Sequence, residues 1–290
     1  MEEKMRTRSL LSLFAVIALM MLGTSSYAGD QPAAVYGRGA NQFSLATGSP
    51  GELGLLKVLA EAFGKQDNAK MAWFKAGSGE SLKLLKDKKV DMIMVHAPVA
   101  EKQAVQDGWA TKRSLIGSNE FFIVGPGDDP AKIAETKSAV DAYRRVAAAK
   151  ARFFSRGDNS GTHKKEMDLW KKAEITPQGD WYVVTKDFMT ATLKRANQEK
   201  GYFMVDSSTW VADKKDVPDL KILFKGDKLL VNTYHALCQP SGATPGAATA
   251  AKFIDFVASP QGQKIIRDYG KNKYGEGLYN DAAYAKKYDD

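Results

Sequence analysis

Cysteine is nearly absent from this 290-residue chain: Cys238 is the one thiol, so no internal disulfide can form. Histidine is almost as scarce, with His96, His163 and His235 far apart in sequence and none at ligand spacing, which argues against a zinc centre. Apolar runs of membrane-spanning length are also missing. The longest, Leu10 to Leu22, falls short of the about 20 residues that a helical span requires, and nothing after it comes closer. Focused positive charge is lacking too. Although the net charge is +8, the lysines are scattered or grouped in short helical faces such as Lys83, Lys86, Lys88 and Lys89, so no nucleic-acid stripe is expected.

What is present begins with an export signal. Lys4, Arg6 and Arg8 precede the apolar stretch, and Ser26-Tyr27-Ala28 puts small residues at the positions that determine cleavage. The expectation is a leader over residues 1–28, cut after about Ala28, and a mature protein that is soluble and exported. Removing the leader leaves a net charge of +7, because Glu2 and Glu3 leave with the three basic residues. A field of that sign favours anionic ligands.

The remaining chain alternates short apolar runs with helical patterns. Phe43 to Ala46, Met71 to Lys75 and Val90 to Val95 read as strands, separated by helices over Glu52 to Phe63 and Glu80 to Lys86. Val90 to Val95 is almost continuously apolar, as a strand covered on both faces should be. Further strands are expected at Phe121 to Val124, Arg152 to Phe154, Trp181 to Thr185, Gly201 to Val205, Leu220 to Phe224 and Tyr234 to Cys238. This order predicts an α/β protein whose parallel strands carry helices on both sides. The length suits two lobes, and Gly125-Pro126 with Gly127-Asp128-Asp129-Pro130 is the best punctuation for a crossing between them. The expected division is 29–124 plus 260–290 for one lobe and 125–259 for the other.

Three strand-to-helix loops share one character: Thr47-Gly48-Ser49-Pro50-Gly51, Gly77-Ser78-Gly79 and Asp158-Asn159-Ser160-Gly161-Thr162. In open α/β sheets, ligands collect where such loops converge, at the carboxyl ends of the strands. The third loop follows Arg156 and opens a helical pattern. Helix N-termini leave N–H groups without internal acceptors, so Arg156, Ser160, Gly161 and Thr162 form a plausible cradle for a tetrahedral oxyanion. The plain alternatives are that Ser160 or Thr162 only caps the helix and that Arg156 only pairs with Asp158. A secreted hydrolase using Ser160 beside His163 is a third reading. Gly-Asp-Asn-Ser-Gly is not the Gly-x-Ser-x-Gly elbow, and adjacency in sequence does not supply an oriented base.

Ser155-Arg156-Gly157-Asp158-Asn159-Ser160-Gly161-Thr162-His163-Lys164-Lys165-Glu166 resembles the signature of the periplasmic tungstate-binding proteins, the solute-capturing components of ABC importers. Val95-His96-Ala97-Pro98 with Glu101-Lys102, the segment Asn119 to Asp129, and Leu169-Trp170 with Trp181-Tyr182 fit the same family in the same order. The resemblance implies a two-lobed type II periplasmic-binding-protein fold, each lobe a mainly parallel sheet flanked by helices, with the ligand cleft between. It implies a monomer without cofactor or resident metal that binds an oxyanion and meets a membrane permease. Thr47, Ser49 and Ser78 on one lobe and Arg156, Ser160, Gly161 and Thr162 on the other are the expected ligand-binding residues. The chain departs from the family pattern at Ala46 and Gly48, where threonines are usual, and at Ser207-Ser208, where Arg-Gly is usual. Tungstate, molybdate, a phosphate-like anion and a small organic anion therefore all stay open as ligands.

Overall fold

The computed structural model describes residues 31–289; the expected leader lies outside the described residues. The chain starts with β1 (Ala34–Gly37), β2 (Asn41–Thr47), a one-turn α1 (Ser49–Glu52), α2 (Leu55–Asp67), β3 (Ala69–Lys75), α3 (Ser78–Lys86), β4 (Met92–Val95) and α4 (Pro98–Gln106). In α2 the residues Leu55, Leu56, Leu59, Ala60 and Phe63 fall on one face and are all buried. Asn68 ends that helix in the left-handed region, at φ 49°, which asparagine tolerates better than most residues. β2 pairs in parallel with β3 and with β4, as the strand and helix order predicts.

The long strand β5 (Thr111–Pro126) then leaves this sheet and enters another. Up to Glu120 it pairs with β10 (described below in chain order), and from Phe121 it pairs with a strand of the second sheet. That second sheet belongs to α5 (Ala139–Ala148), β6 (Phe153–Ser155), α6 (Gly161–Lys172), β7 (Tyr182–Val184), α7 (Met189–Gln198), β8 (Tyr202–Asp206), α8 (Ser207–Asp213) and β9 (Leu220–Phe224). β6 is parallel to both β7 and β8, while β8 and β9 run antiparallel to β5. A cluster of rings fills the core below: Tyr143 lies 4.4 Å and Phe153 5.2 Å from Trp170, centroid to centroid.

The chain returns through β10 (Val231–Cys238) and ends with α9 (Ala247–Ala258), α10 (Pro260–Asp268), α11 (Lys271–Tyr274), β11 (Asn280–Asp281) and α12 (Ala282–Ala285). β10 pairs antiparallel with β4 as well as β5, and Phe253 of α9 sits 5.2 Å from both Phe43 and Phe63. Residues 231–259 were expected in the second lobe; their pairing and packing lie with the first sheet. Likewise the change of sheet occurs inside β5, between Glu120 and Phe121, and not at Gly125-Pro126. The reason is physical. An apolar run such as Tyr234 to Cys238 announces a strand but not its partner, and Thr111 to Glu120 is too polar to announce a strand at all.

The parallel centre of each sheet is thus extended by antiparallel strands, two of which, β5 and β10, link the halves. Where they cross, Asn119 and Asn232 face each other in register, and Asn232 Nδ2 donates to Asn119 Oδ1 at 2.7 Å. Asn119 Nδ2 donates in turn to Asp206 Oδ1 at 3.1 Å and to Ser208 Oγ at 2.5 Å. Burial raises the pKa of Asp206 even though hydrogen bonds from Thr209 and Ser208 favour its charged form.

Candidate functional site

Four strands point their carboxyl ends at one place. β2 ends at Thr47 and runs into α1, β3 leads through Gly77 into α3, β4 leads through His96 into α4, and β6 leads through Arg156 into α6. The space between them is lined by Thr47, Ser49, Glu52, Ser78, Met94 and His96 from one side, Arg156 and Ser160 from the other, and Tyr234 of β10. It is almost shut, a cavity of about 10 Å³. The two halves touch. A Cβ on Gly77 would lie 3.0 Å from the Ser160 Cβ, and one on Gly161 would lie 2.3 Å from the His96 ring. Glycine at these positions lets the walls meet.

Arg156 is only 5 % exposed, and its position is fixed on two edges. Nε donates to the Asp187 carbonyl at 3.2 Å and Nη2 to Asp158 Oδ2 at 2.5 Å, leaving its other N–H groups for the cavity. Asp158 is engaged on both oxygens, since Oδ1 accepts the Ser160 N–H at 3.1 Å. The carboxylate therefore serves the loop and does not line the cavity. The Phe188 ring lies 5.6 Å from the Arg156 guanidinium carbon, and Lys75 Nζ of the opposite wall sits 3.9 Å from the same ring. Lys75 also pairs with Glu52 at 2.7 Å, which neutralises the carboxylate that lines the cavity.

Three of the hydroxyls that meet there are not equivalent. Thr47 Oγ1 donates to the Met94 carbonyl at 2.8 Å, so its proton is committed. Ser78 Oγ accepts the His96 N–H at 3.3 Å, and Ser160 Oγ accepts the His163 N–H at 3.3 Å as the cap of α6. Each of these serines keeps its own O–H to donate. Ser49 lines the cavity and begins α1. Gly161 and Thr162 are buried in the first turn of α6, outside the lining, where their N–H groups have no intrahelical acceptor.

His96 and Tyr234 were not among the expected ligand-binding residues, nor were Glu52 and Met94. Burial, reinforced by the nearby Arg156 charge, drives the pKa of His96 down to about 3, so the ring is neutral. Its buried Nδ1 has no hydrogen-bond partner, and the ring lies 4.9 Å from Tyr234. No local pattern marked Tyr234, which arrives on a strand far along the chain. His96 does follow β4 directly, so the strand-end rule could have found it. His163 Nδ1 accepts the Asn159 N–H at 3.0 Å and is not bonded to the Ser160 hydroxyl, which leaves that serine without an activating base. Ser207 lies outside the lining, its hydroxyl accepting the Glu120 N–H at 3.2 Å.

Residues 33–261 match the family described as the PBP superfamily domain. A tungstate-binding protein from Peptoclostridium acidaminophilum is 32% identical over 279 residues, covering 94% of this chain and 97% of that one. A protein described as a putative ABC transporter anion-binding protein, from Haloferax volcanii, is 37% identical over 78% of this chain and 68% of its own length. The crystal structure of a tungstate ABC transporter protein from Geobacter sulfurreducens superimposes with a TM-score of 0.72 at 39% identity, covering 80% of this chain and all of that one.

Proposed function

The chain belongs to the PBP superfamily, and from that premise we propose that it captures a doubly charged tetrahedral oxyanion, tungstate foremost, between its lobes and delivers it to the permease of an ABC importer. It is a binding protein and not an enzyme. The observation that carries the oxyanion reading is Arg156: a buried guanidinium, held by Asp158 and the Asp187 carbonyl, facing the free hydroxyl donors of Ser78 and Ser160. A fully deprotonated dianion needs donors, and these groups offer little else. The first turns of α3 and α6 add N–H groups and the positive ends of two helix dipoles, each worth about 0.3–2 kcal/mol to a charge placed there. The relatives that bind tungstate or another anion support the same reading. Delivery from the periplasm follows from the expected leader over residues 1–28.

A second reading keeps the cleft and changes the anion. Arg156 is the one guanidinium among the described residues that line the cavity, a single positive charge that other small anions could also satisfy. Hydrogen phosphate would need an acceptor for its own proton, and the lining carboxylate, Glu52, is already held by Lys75. Titration calorimetry of the protein against tungstate, molybdate, sulfate and phosphate ranks the candidates. Tungstate tightest is the expected result, and no heat with any of the four refutes the oxyanion site.

A further inference from the structure

On the other side of His96 lies a second and much larger cavity, of about 510 Å³. Its walls come from separate parts of the fold: His96 ahead of α4, Lys165 of α6, Lys228 before β10, Asn232 in β10, and Lys287 after α12. Lys165 is one helical turn beyond Gly161, so it projects from the face of α6 that meets His96. No Asp or Glu is among the described residues that line this space. The acidic groups next in sequence are taken. Asp227 accepts the N–H groups of Leu229 and Ala139, and Asp289 pairs with Arg113 and His235. Among the described residues neither Lys228 nor Lys287 pairs with a carboxylate, although Lys287 Nζ lies 5.3 Å from the Tyr284 ring.

The contrast with the inner cleft points to a division of labour. The inner space is closed to about 10 Å³ while the flank cavity stays open, and the His96 ring borders both. We propose that the flank cavity is an outer anion site, where Lys165, Lys228 and Lys287 collect the divalent oxyanion beside the inner cleft. This rests on the oxyanion reading above. Concave walls lined by charge of one sign concentrate counter-ions and raise association rates, an effect that salt screens.

Stopped-flow fluorescence of tungstate binding, at low and at high ionic strength, tests it with two variants of equal charge. Lys228→Gln with Lys287→Gln empties the flank cavity of two cations. Lys70→Gln with Lys88→Gln removes the same charge at the opposite ends of β3 and β4. The first variant is expected to associate about tenfold more slowly at low salt, with a flatter salt dependence and an unchanged dissociation rate. The second should stay within about twofold of the parent. Equal slowing in both variants, or a change confined to dissociation, overturns the outer site. A parent protein that binds none of the four oxyanions overturns the reading beneath it, so the two failures are distinguishable.

Discussion

The two walls of the cleft are built on different principles. The wall from the second sheet carries its charge in a single loop, where Arg156, Asp158 and Ser160 are bonded to one another before any ligand arrives. The wall from the first sheet gathers its groups from the ends of three strands. One of its hydroxyls is spent on Met94, and its carboxylate is balanced by Lys75. Charge recognition is therefore preorganised on one side, whereas the other side contributes shape, a few donors and the surface on which closure occurs.

Removing Arg156 breaks this comparison most severely. Arg156→Ala deletes the charge-assisted donors and leaves Asp158 uncompensated near the anion. A loss of about 3 kcal/mol, roughly 100-fold or more in Kd, is expected by calorimetry. An affinity within a few-fold of the parent would show that charge recognition does not reside on this wall. Gly161→Ala tests closure. The added Cβ falls on the His96 ring, so the walls must part, and overpacking of this kind costs about 1–3 kcal/mol, or about thirtyfold in Kd at its middle. Because the clash exists only when the walls meet, the melting temperature of the unliganded variant should change less than its affinity for tungstate.

The hydroxyls sharpen the comparison within one wall. Ser78→Ala removes a free donor and should weaken binding by about 1 kcal/mol, roughly fivefold. Thr47→Val removes a hydroxyl whose proton is already committed. It should lower stability by about 1–3 kcal/mol, by leaving the Met94 carbonyl unsatisfied, with little change in affinity. Equal affinity losses in the two variants would mean that Thr47 turns toward the ligand when the anion is bound.

These differences explain what could be read in advance. The charged wall was legible because its chemistry lies in consecutive residues, 155 to 162, between a strand and a helix that the local pattern already marks. Most strands and the three Gly/Ser loops were legible for the same reason. The commitment of Thr47 to Met94 was not, since it depends on how β2 and β4 lie side by side. Tyr234 was hidden in the same way, because pairing with β4 and β5 brings β10 to the cleft, and no pattern within β10 names those partners. The division of the halves failed to show where β5 changes sheets, since Thr111 to Glu120 lacks the apolar alternation that would mark it as half of a long strand.

The smallest effect on binding is expected behind the charged wall, at Glu166. Its carboxylate accepts from Tyr182 at 2.6 Å and Trp170 at 3.2 Å, and burial raises its pKa from 4.5 to about 7, with Asp158 adding repulsion. The fold thus prefers the protonated form. For this group the folded chain holds more protons than the unfolded chain between pH 4.5 and about 7, so stability is highest below that window and falls as pH rises through it. The shift corresponds to roughly 3 kcal/mol. Glu166→Gln keeps an oxygen for both donors but cannot ionise. His96, with its pKa depressed to about 3, acts in the opposite direction: its contribution is present above pH 6.5 and is lost as pH falls. That contribution is common to the parent and the variant, so it cancels in their difference. Urea unfolding at pH 5 and pH 8 should therefore show the variant gaining on the parent by up to about 3 kcal/mol as pH rises, at nearly unchanged tungstate affinity. Parallel pH dependences would mean that Glu166 is ionised throughout, and that the charged wall rests on a buried anion and not on a neutral acid.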